Sequence, residues 1–181
     1  LMVYGEYVQA PQIQLAKALT DLLPENLNSV FYTNSGTEAT EGAMKLAKRA
    51  TGRSKMIAFN KSYHGSTQGA LSLMGDEYYK NAFRPLLPDV QHFDYNSKDV
   101  IEAIDEQTAC VILETVQAES GVTKPFPQLL RAISLKCRKT GTLLILDEIQ
   151  AGFGRTGSLW AFQQYDVVPD ILLLGKALGG G

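Results

Sequence analysis

Two cysteines and two histidines among 181 residues leave little for a disulfide framework or a metal cluster. Cys110 opens an apolar run and Cys137 lies in a segment of helical pattern, so both read as reduced, buried thiols. His64 and His92 are too few and too scattered for a metal ligand set; taken singly, each reads as a satisfied structural histidine. Neither sign of charge dominates. Seventeen lysines and arginines against nineteen aspartates and glutamates give a net charge of −2, which offers no reason to expect a nucleic-acid or membrane partner. No apolar stretch approaches the ~20 residues that span a bilayer. The opening Leu1-Met2-Val3-Tyr4-Gly5-Glu6 lacks the basic flank and apolar core of a signal peptide, so a cytoplasmic protein is the default. Repeats, low-complexity tracts and linkers are missing as well. What remains, 45% hydrophobic and 20% charged residues, is ordinary for a soluble globular domain long enough to bury a real core.

Strand-like and helix-like segments alternate along the chain. Residues 11–23 read as a helix, with Pro11 near its start, Ile13, Ala16, Leu19 and Leu23 apolar, and Pro24 as its stop. Residues 29–33 read as a strand, and 36–50 as a helix with Ala39, Ala43, Leu46 and Ala47 on one face. Further strands are expected at 55–59, 90–94, 109–114, 143–147 and 170–174, and helices at 67–73, 97–104 and 127–140. Val111-Ile112-Leu113 and Leu143–Leu146 are apolar without alternation, as strands covered on both faces should be. The expected fold is α/β, a mostly parallel sheet with helices on both faces. In such sheets ligands sit beyond the carboxyl ends of the strands. The polar punctuation falls there: Ser35-Gly36-Thr37, Glu114, Asp147 and Lys176.

Each of these residues carries two readings. Ser35-Gly36-Thr37 marks a helix start, where free N–H groups and the helix dipole can hold a phosphate and Gly36 lets it approach. Ser35 and Glu38 also have the Ser-x-x-Glu spacing of a plain capping box. Asp147 ends a strongly apolar strand and needs a cation or donors there, either a protonated pyridine nitrogen or the amides of a neighbouring loop. Gln150 could meet a ring hydroxyl or stay in an exposed loop. Tyr63, in Tyr63-His64-Gly65, could stack on a planar ring. Lys176, after an apolar run and before Gly179-Gly180-Gly181, is either a surface lysine or an amine presented to a cofactor. Gly152-Phe153-Gly154-Arg155-Thr156-Gly157 matches G-x-G-x-x-G, but begins five residues past Asp147 instead of in the turn directly after a strand, which argues against a dinucleotide site. An amine, a carboxylate and an anion site at three strand ends are what an enzyme must supply to pyridoxal 5′-phosphate.

Together these segments resemble the class-III, fold-type-I aminotransferases that use pyridoxal phosphate. The matching stretches are Asn34-Ser35-Gly36-Thr37-Glu38-Ala39-Thr40-Glu41, Tyr63-His64-Gly65, Glu114-Thr115-Val116-Gln117-Ala118-Glu119-Ser120-Gly121, Leu146-Asp147-Glu148-Ile149-Gln150, Gly154-Arg155-Thr156-Gly157 and Pro169-Asp170-Ile171 through Gly175-Lys176-Ala177-Leu178. They run in family order over most of the chain. The resemblance implies that Lys176 binds the cofactor covalently and moves the proton, and that Asp147 pairs with the pyridinium nitrogen. It puts the phosphate at Ser35-Gly36-Thr37, Tyr63 and His64 beside the ring, Gln150 at the ring hydroxyl and Glu119 on the substrate side. The implied reaction moves an amino group from a terminal amine of an amino acid or diamine to a 2-oxo acid such as 2-oxoglutarate, in a homodimer.

Within the class the wording sits nearest the acetylornithine and ornithine group, with putrescine and 4-aminobutyrate enzymes nearby. Acetylornithine enzymes usually carry Phe-His-Gly-Arg where this chain has Tyr63-His64-Gly65-Ser66, and Thr115 and Ala118 replace an expected proline and glycine. The Tyr-His-Gly wording is also similar to glutamate-1-semialdehyde aminomutases. An aminomutase of that type and a catalytically incompetent cofactor-binding fragment are the alternatives. The chain starts without an initiating methionine and stops on Gly181. Residues 1–181 are therefore expected to be part of a cofactor-binding large domain, with the family's small C-terminal domain outside this chain.

Overall fold

A computed structural model describes residues 7–179. The segment searched for a signal peptide, 1–6, and the glycines 180 and 181 after Lys176 lie outside the described residues. Contacts divide the chain into two units, one up to Tyr32 and one from Thr33 onward. The first holds helix α1 (Ala10–Thr20), with proline at its first turn. A Lys17–Asp21 pair one turn apart lies on its exposed side, and the Tyr32 hydroxyl donates to the Gln12 carbonyl at 2.6 Å. Helix α1 ends at Thr20, before Pro24 could stop it. Backbone turns carry the chain over Asp21–Leu23 instead.

The expected strand over 29–33 does not form. Val30, Phe31 and Tyr32 have the residue types of a strand, but a strand exists only as part of a ladder. Among the described residues no strand pairs with this run, and Phe31 is 83% exposed.

In the second unit, α2 (Gly36–Thr51), β1 (Lys55–Phe59), α3 (Gln68–Leu73) and a one-turn α4 (Glu77–Lys80) lead to β2 (Val90–Phe93). Then follow α5 (Asp99–Ala103), β3 (Thr108–Glu114), α6 (Pro127–Thr140), β4 (Leu143–Asp147) and β5 (Ile171–Leu173). The five strands form one parallel sheet in the order β2-β1-β3-β4-β5. All seven residues of the central β3 are buried, because helices cover both faces. Cys110 and Ile112 join Met56, Ala58, Ile145 and Leu173 against Ala43, Met44 and Ala47 of α2. Successive residues of a strand alternate in face, so Val111 and Leu113 point the other way, where α6 packs on β3 and β4. The buried stripe of α2 is Thr40, Ala43, Met44 and Ala47. Leu46, expected on that stripe, is 56% exposed, because the helix presents the 40/43/44/47 row to the sheet. Helix α6 ends on Gly141, whose left-handed backbone (φ 68°) suits the residue just past a helix.

The strand order fixes where a ligand can sit. From β1 the chain goes to β2 on one side, then returns past β1 to β3 and builds outward through β4 and β5. Connections leaving β1 and β3 therefore diverge, opening a crevice at the carboxyl ends of the strands. Among the described residues, no helix is long and apolar enough to cross a membrane. Cys110 and Cys137 are free and buried, as their surroundings in the sequence suggested.

Candidate active site

A cavity of about 290 Å³ occupies that crevice. Gly36 and Thr37 reach it from the start of α2, and Tyr63, His64, Gly65 and Ser66 from the loop after β1. Glu114, Val116 and Glu119 line it from β3 and beyond, Asp147, Ile149 and Gln150 from β4 and beyond, and Lys176 from the turn after β5. Every candidate picked from the sequence lines it except Ser35.

Ser35 is the N-cap of α2, and its Oγ accepts from the Glu38 amide at 3.3 Å. Glu38 in turn accepts from the Asn34 amide at 2.7 Å. The cap and the anion site thus coexist: the Ser35 hydroxyl is committed to the helix, while the Gly36 and Thr37 amides, on the pocket wall, have no acceptor within the helix.

The loop after β1 is tied to α2 at several points. Thr40 Oγ1 donates to the His64 carbonyl at 2.9 Å. Thr37 and Thr67 share a hydroxyl hydrogen bond of 2.7 Å, and Glu41 accepts from Thr67 Oγ1 and from the Gly69 and Ala70 amides at 2.6–2.9 Å. Gly65 makes this fit possible. Its φ is +123°, and a Cβ there would stand 2.3 Å from Thr37 Oγ1. Tyr63 is 45% exposed, an aromatic face at the pocket wall.

At the pocket floor Asp147, 5% exposed, has both oxygens engaged. Oδ2 meets His64 Nδ1 at 2.8 Å, and Oδ1 accepts from the Ile149 amide at 3.0 Å. The His64 ring is buried, and its Nε2 has no hydrogen-bond partner among the described residues. His64 thus lines the pocket with one ring nitrogen committed to Asp147. Beside them Glu114 Oε1 accepts from the Tyr63 amide at 2.9 Å. Burial pushes the Glu114 carboxyl up to about 7; the Asp147 charge acts the same way, against the pull of His64 and the Tyr63 and Ala118 amides.

Lys176 opens a short 3₁₀ turn, Lys176–Gly179, in left-handed backbone (φ 46°). A side chain with a Cβ adopts that region at some cost in energy, and here it brings Nζ to donate to Gln150 Oε1. Gln150 Nε2 lies 3.5 Å from Glu119 Oε1, so Lys176, Gln150 and Glu119 form one chain along the wall. Ile149 sits between two glycines: a Cβ at Gly36 would fall 2.9 Å from it, and one at Gly175 3.1 Å.

Sequence reasoning passed over several members. Ile149 lies inside a stretch singled out for its polar neighbours. Glu148 is wholly buried and accepts from Thr115 Oγ1 at 3.0 Å and the Ala161 and Phe162 amides at 2.8 and 2.6 Å. It fastens the segment carrying Asp147 and Gln150 to a 3₁₀ turn at Ala161–Tyr165; the Asp-Glu doublet ending an apolar strand was its only signal. The 152–157 glycine segment lies in turns away from the end of any strand, consistent with setting aside a dinucleotide loop.

The family model described as aminotransferase class-III matches residues 1–181. A LysW-aminoadipate semialdehyde/glutamate semialdehyde transaminase of Sulfurisphaera tokodaii is 46% identical over 93% of this chain and 43% of its own length. An acetylornithine aminotransferase of Methanopyrus kandleri is 47% identical over 97% of this chain and 45% of its own. Among solved structures, an ornithine aminotransferase of Toxoplasma gondii, described with partial occupancy of PLP at its active site, superposes with a TM-score of 0.89 at 31% identity. That match covers 99% of this chain and 44% of the other. An omega-transaminase of Thermomicrobium roseum gives 0.85 at 34% identity, over 94% and 44%. The chain spans less than half the length of the relatives it matches.

Proposed function

The chain belongs to the class-III aminotransferase family, and from that premise we propose that its pocket takes pyridoxal 5′-phosphate and that the protein transfers an amino group. The observation that carries the reading is the convergence of the Lys176 amine, the buried Asp147 carboxylate and the Gly36 and Thr37 amides of a helix start on a single cavity. The residues fit the cofactor on two further grounds. Glycines at 36, 65 and 175 clear side chains from around Thr37 and Ile149. The floor offers a carboxylate already oriented by an imidazole and an amide.

In this reading the Gly36 and Thr37 amides hold the phosphate, while the Ser35 hydroxyl acts only through the helix start. Tyr63 covers the ring, Asp147 pairs with the pyridine nitrogen with His64 behind it, Gln150 meets the ring hydroxyl, and Lys176 is the covalent anchor. When bound, the cofactor supplies an electron sink for charge developing at the substrate carbon. Lys176 Nζ then takes and returns the substrate proton, steered by Gln150. Asp147, buried and held by two donors, keeps its negative charge at one fixed point, where preorganised electrostatics act most strongly. Glu119 faces the substrate side.

The donor is proposed to be a terminal amine of an amino acid or diamine, as the names of the acetylornithine and semialdehyde relatives suggest, and the acceptor a 2-oxo acid such as 2-oxoglutarate. A homodimer in the cytoplasm, with residues 1–181 as part of the cofactor-binding large domain, completes the proposal. The test is to load the protein with pyridoxal phosphate and offer N-acetylornithine, ornithine, putrescine and 4-aminobutyrate with 2-oxoglutarate. Glutamate formed in step with loss of one amine supports the reading. Isomerisation of glutamate-1-semialdehyde without net transfer would replace it with an aminomutase.

A further inference from the structure

Glu114 and Asp147 are Cα partners at the last rung of the β3–β4 ladder. Neighbours in register on parallel strands point to the same face of the sheet, and both side chains line the pocket while only 6% and 5% exposed. Their partners differ. Asp147 has the His64 ring at 2.8 Å and an amide, whereas Glu114 accepts from amides and feels the His64 ring only at a distance, without a hydrogen bond to it. Tyr95, from the segment after β2, donates at 2.6 Å to the Glu114 backbone carbonyl and leaves the carboxyl alone.

The other ionisable groups around Glu114 are few. Tyr63 and His64 face it from the loop after β1 and Asp147 from β4. Glu119 and Lys176 stand further along the pocket wall, Lys176 donating to Gln150. Glu148, next to Asp147, is turned away toward Thr115 and the 161–162 amides. Two carboxylates held side by side out of water do not both ionise readily, and Glu114 is the one that lacks the imidazole as a hydrogen-bond partner.

We infer, resting on the reading that this pocket takes pyridoxal phosphate, that Glu114 is the proton-carrying member of a carboxyl pair with Asp147. Its charge state tunes how tightly the floor holds a ring with a cationic nitrogen. Glu114 is then a positioning residue that acts through Asp147. With its proton, the pair presents one negative charge to the ring; without it, two. Burial pushing the Glu114 carboxyl up to about 7 puts this change near neutrality. By reciprocity, a cationic ring at Asp147 draws the proton off Glu114.

The test compares the affinity of the full chain for pyridoxal phosphate in the wild type and in Glu114→Gln, which is permanently neutral there. Titration of the cofactor and of Lys176 is common to both proteins and cancels in the ratio of dissociation constants. That ratio, variant over wild type, should rise from about 1 near pH 5.5 to about 10 near pH 8.5, the tenfold effect that accompanies a one-unit shift in proton affinity. Glu114→Asp should restore much of the pH dependence. A ratio equal at both pH values, as a merely structural role would give, overturns the inference and leaves the proposed function standing. If neither protein binds the cofactor, the proposed function fails, and infrared difference spectra of the cofactor-free chain decide the carboxyl pair. A protonated-carboxyl band that vanishes as pH rises in the wild type and is missing from Glu114→Gln upholds the pair. No such band refutes it.

Discussion

Replacing Gly65 by alanine should damage both the fold and the pocket. The new Cβ would lie 2.3 Å from Thr37 Oγ1, 2.5 Å from Thr37 Cβ and 2.8 Å from Thr37 Cα. The last of these is backbone in the first turn of α2, which cannot swing aside as a side-chain tip could. Residue 65 also has φ +123°, where an L side chain is strained by roughly 1–3 kcal/mol. Overpacking against a fixed neighbour adds about 1–3 kcal/mol, so a total of roughly 2–6 kcal/mol is expected. Gly154→Ala is the control: φ there is +83°, but nothing lies within 4 Å of the added Cβ, so only the backbone part remains. Urea denaturation of both variants, compared at midpoint with unchanged m, separates the two contributions. Because the loop carrying Tyr63 and His64 must move off α2, Gly65→Ala should also weaken pyridoxal phosphate binding, and Gly154→Ala should not. Equal stability losses in the two variants would refute the tight fit of the loop on the α2 start.

Glu148→Gln puts an N–H donor where three donors already converge. At least one buried amide then loses its acceptor, at about 1–3 kcal/mol. At about 2–4 °C per kcal/mol for a chain of this size, a fall in Tm of roughly 2–12 °C follows, measurable by circular dichroism. Glu114 gives stability a pH dependence of known sign. Its folded value, about 7, lies above the ordinary 4.5, so its contribution is complete below about 4.5 and lost as pH rises through 7. Relative to wild type, Glu114→Gln should therefore gain on the order of 3 kcal/mol between about pH 4 and pH 8, read from denaturation at each pH. Burial pushes both Cys110 and Cys137 up to about 12. A thiol reagent should leave both untouched in the folded chain and modify both after unfolding.

How much of this could be read from the residues alone follows from where the signals reside. β1, β3 and β4 are apolar runs that stop at a polar residue, so their ends, and with them Glu114 and Asp147, were visible locally. The α2 start was visible for the same reason, as Ser35 and Glu38 mark it. Residues 29–33 were misjudged because strand pairing is a property of two segments and the sequence names only one. Leu46 was misjudged because alanines and a threonine can fill a helix face as well as larger residues, leaving the phase of the stripe ambiguous. α4 and the 3₁₀ turns are too short to show a period. The deeper features of the site, the Glu114–Asp147 rung and the His64–Asp147 contact across 83 residues of sequence, exist only once β1, β3 and β4 are side by side.

The most direct measurement is to mix the protein with pyridoxal phosphate, record its visible spectrum, reduce with borohydride and map the labelled peptide. A cofactor band whose reduced adduct sits on Lys176, and is lost in Lys176→Ala, is the expected result. No band, or label scattered over surface lysines such as Lys17 and Lys61, would contradict the assignment of this pocket as a pyridoxal phosphate site.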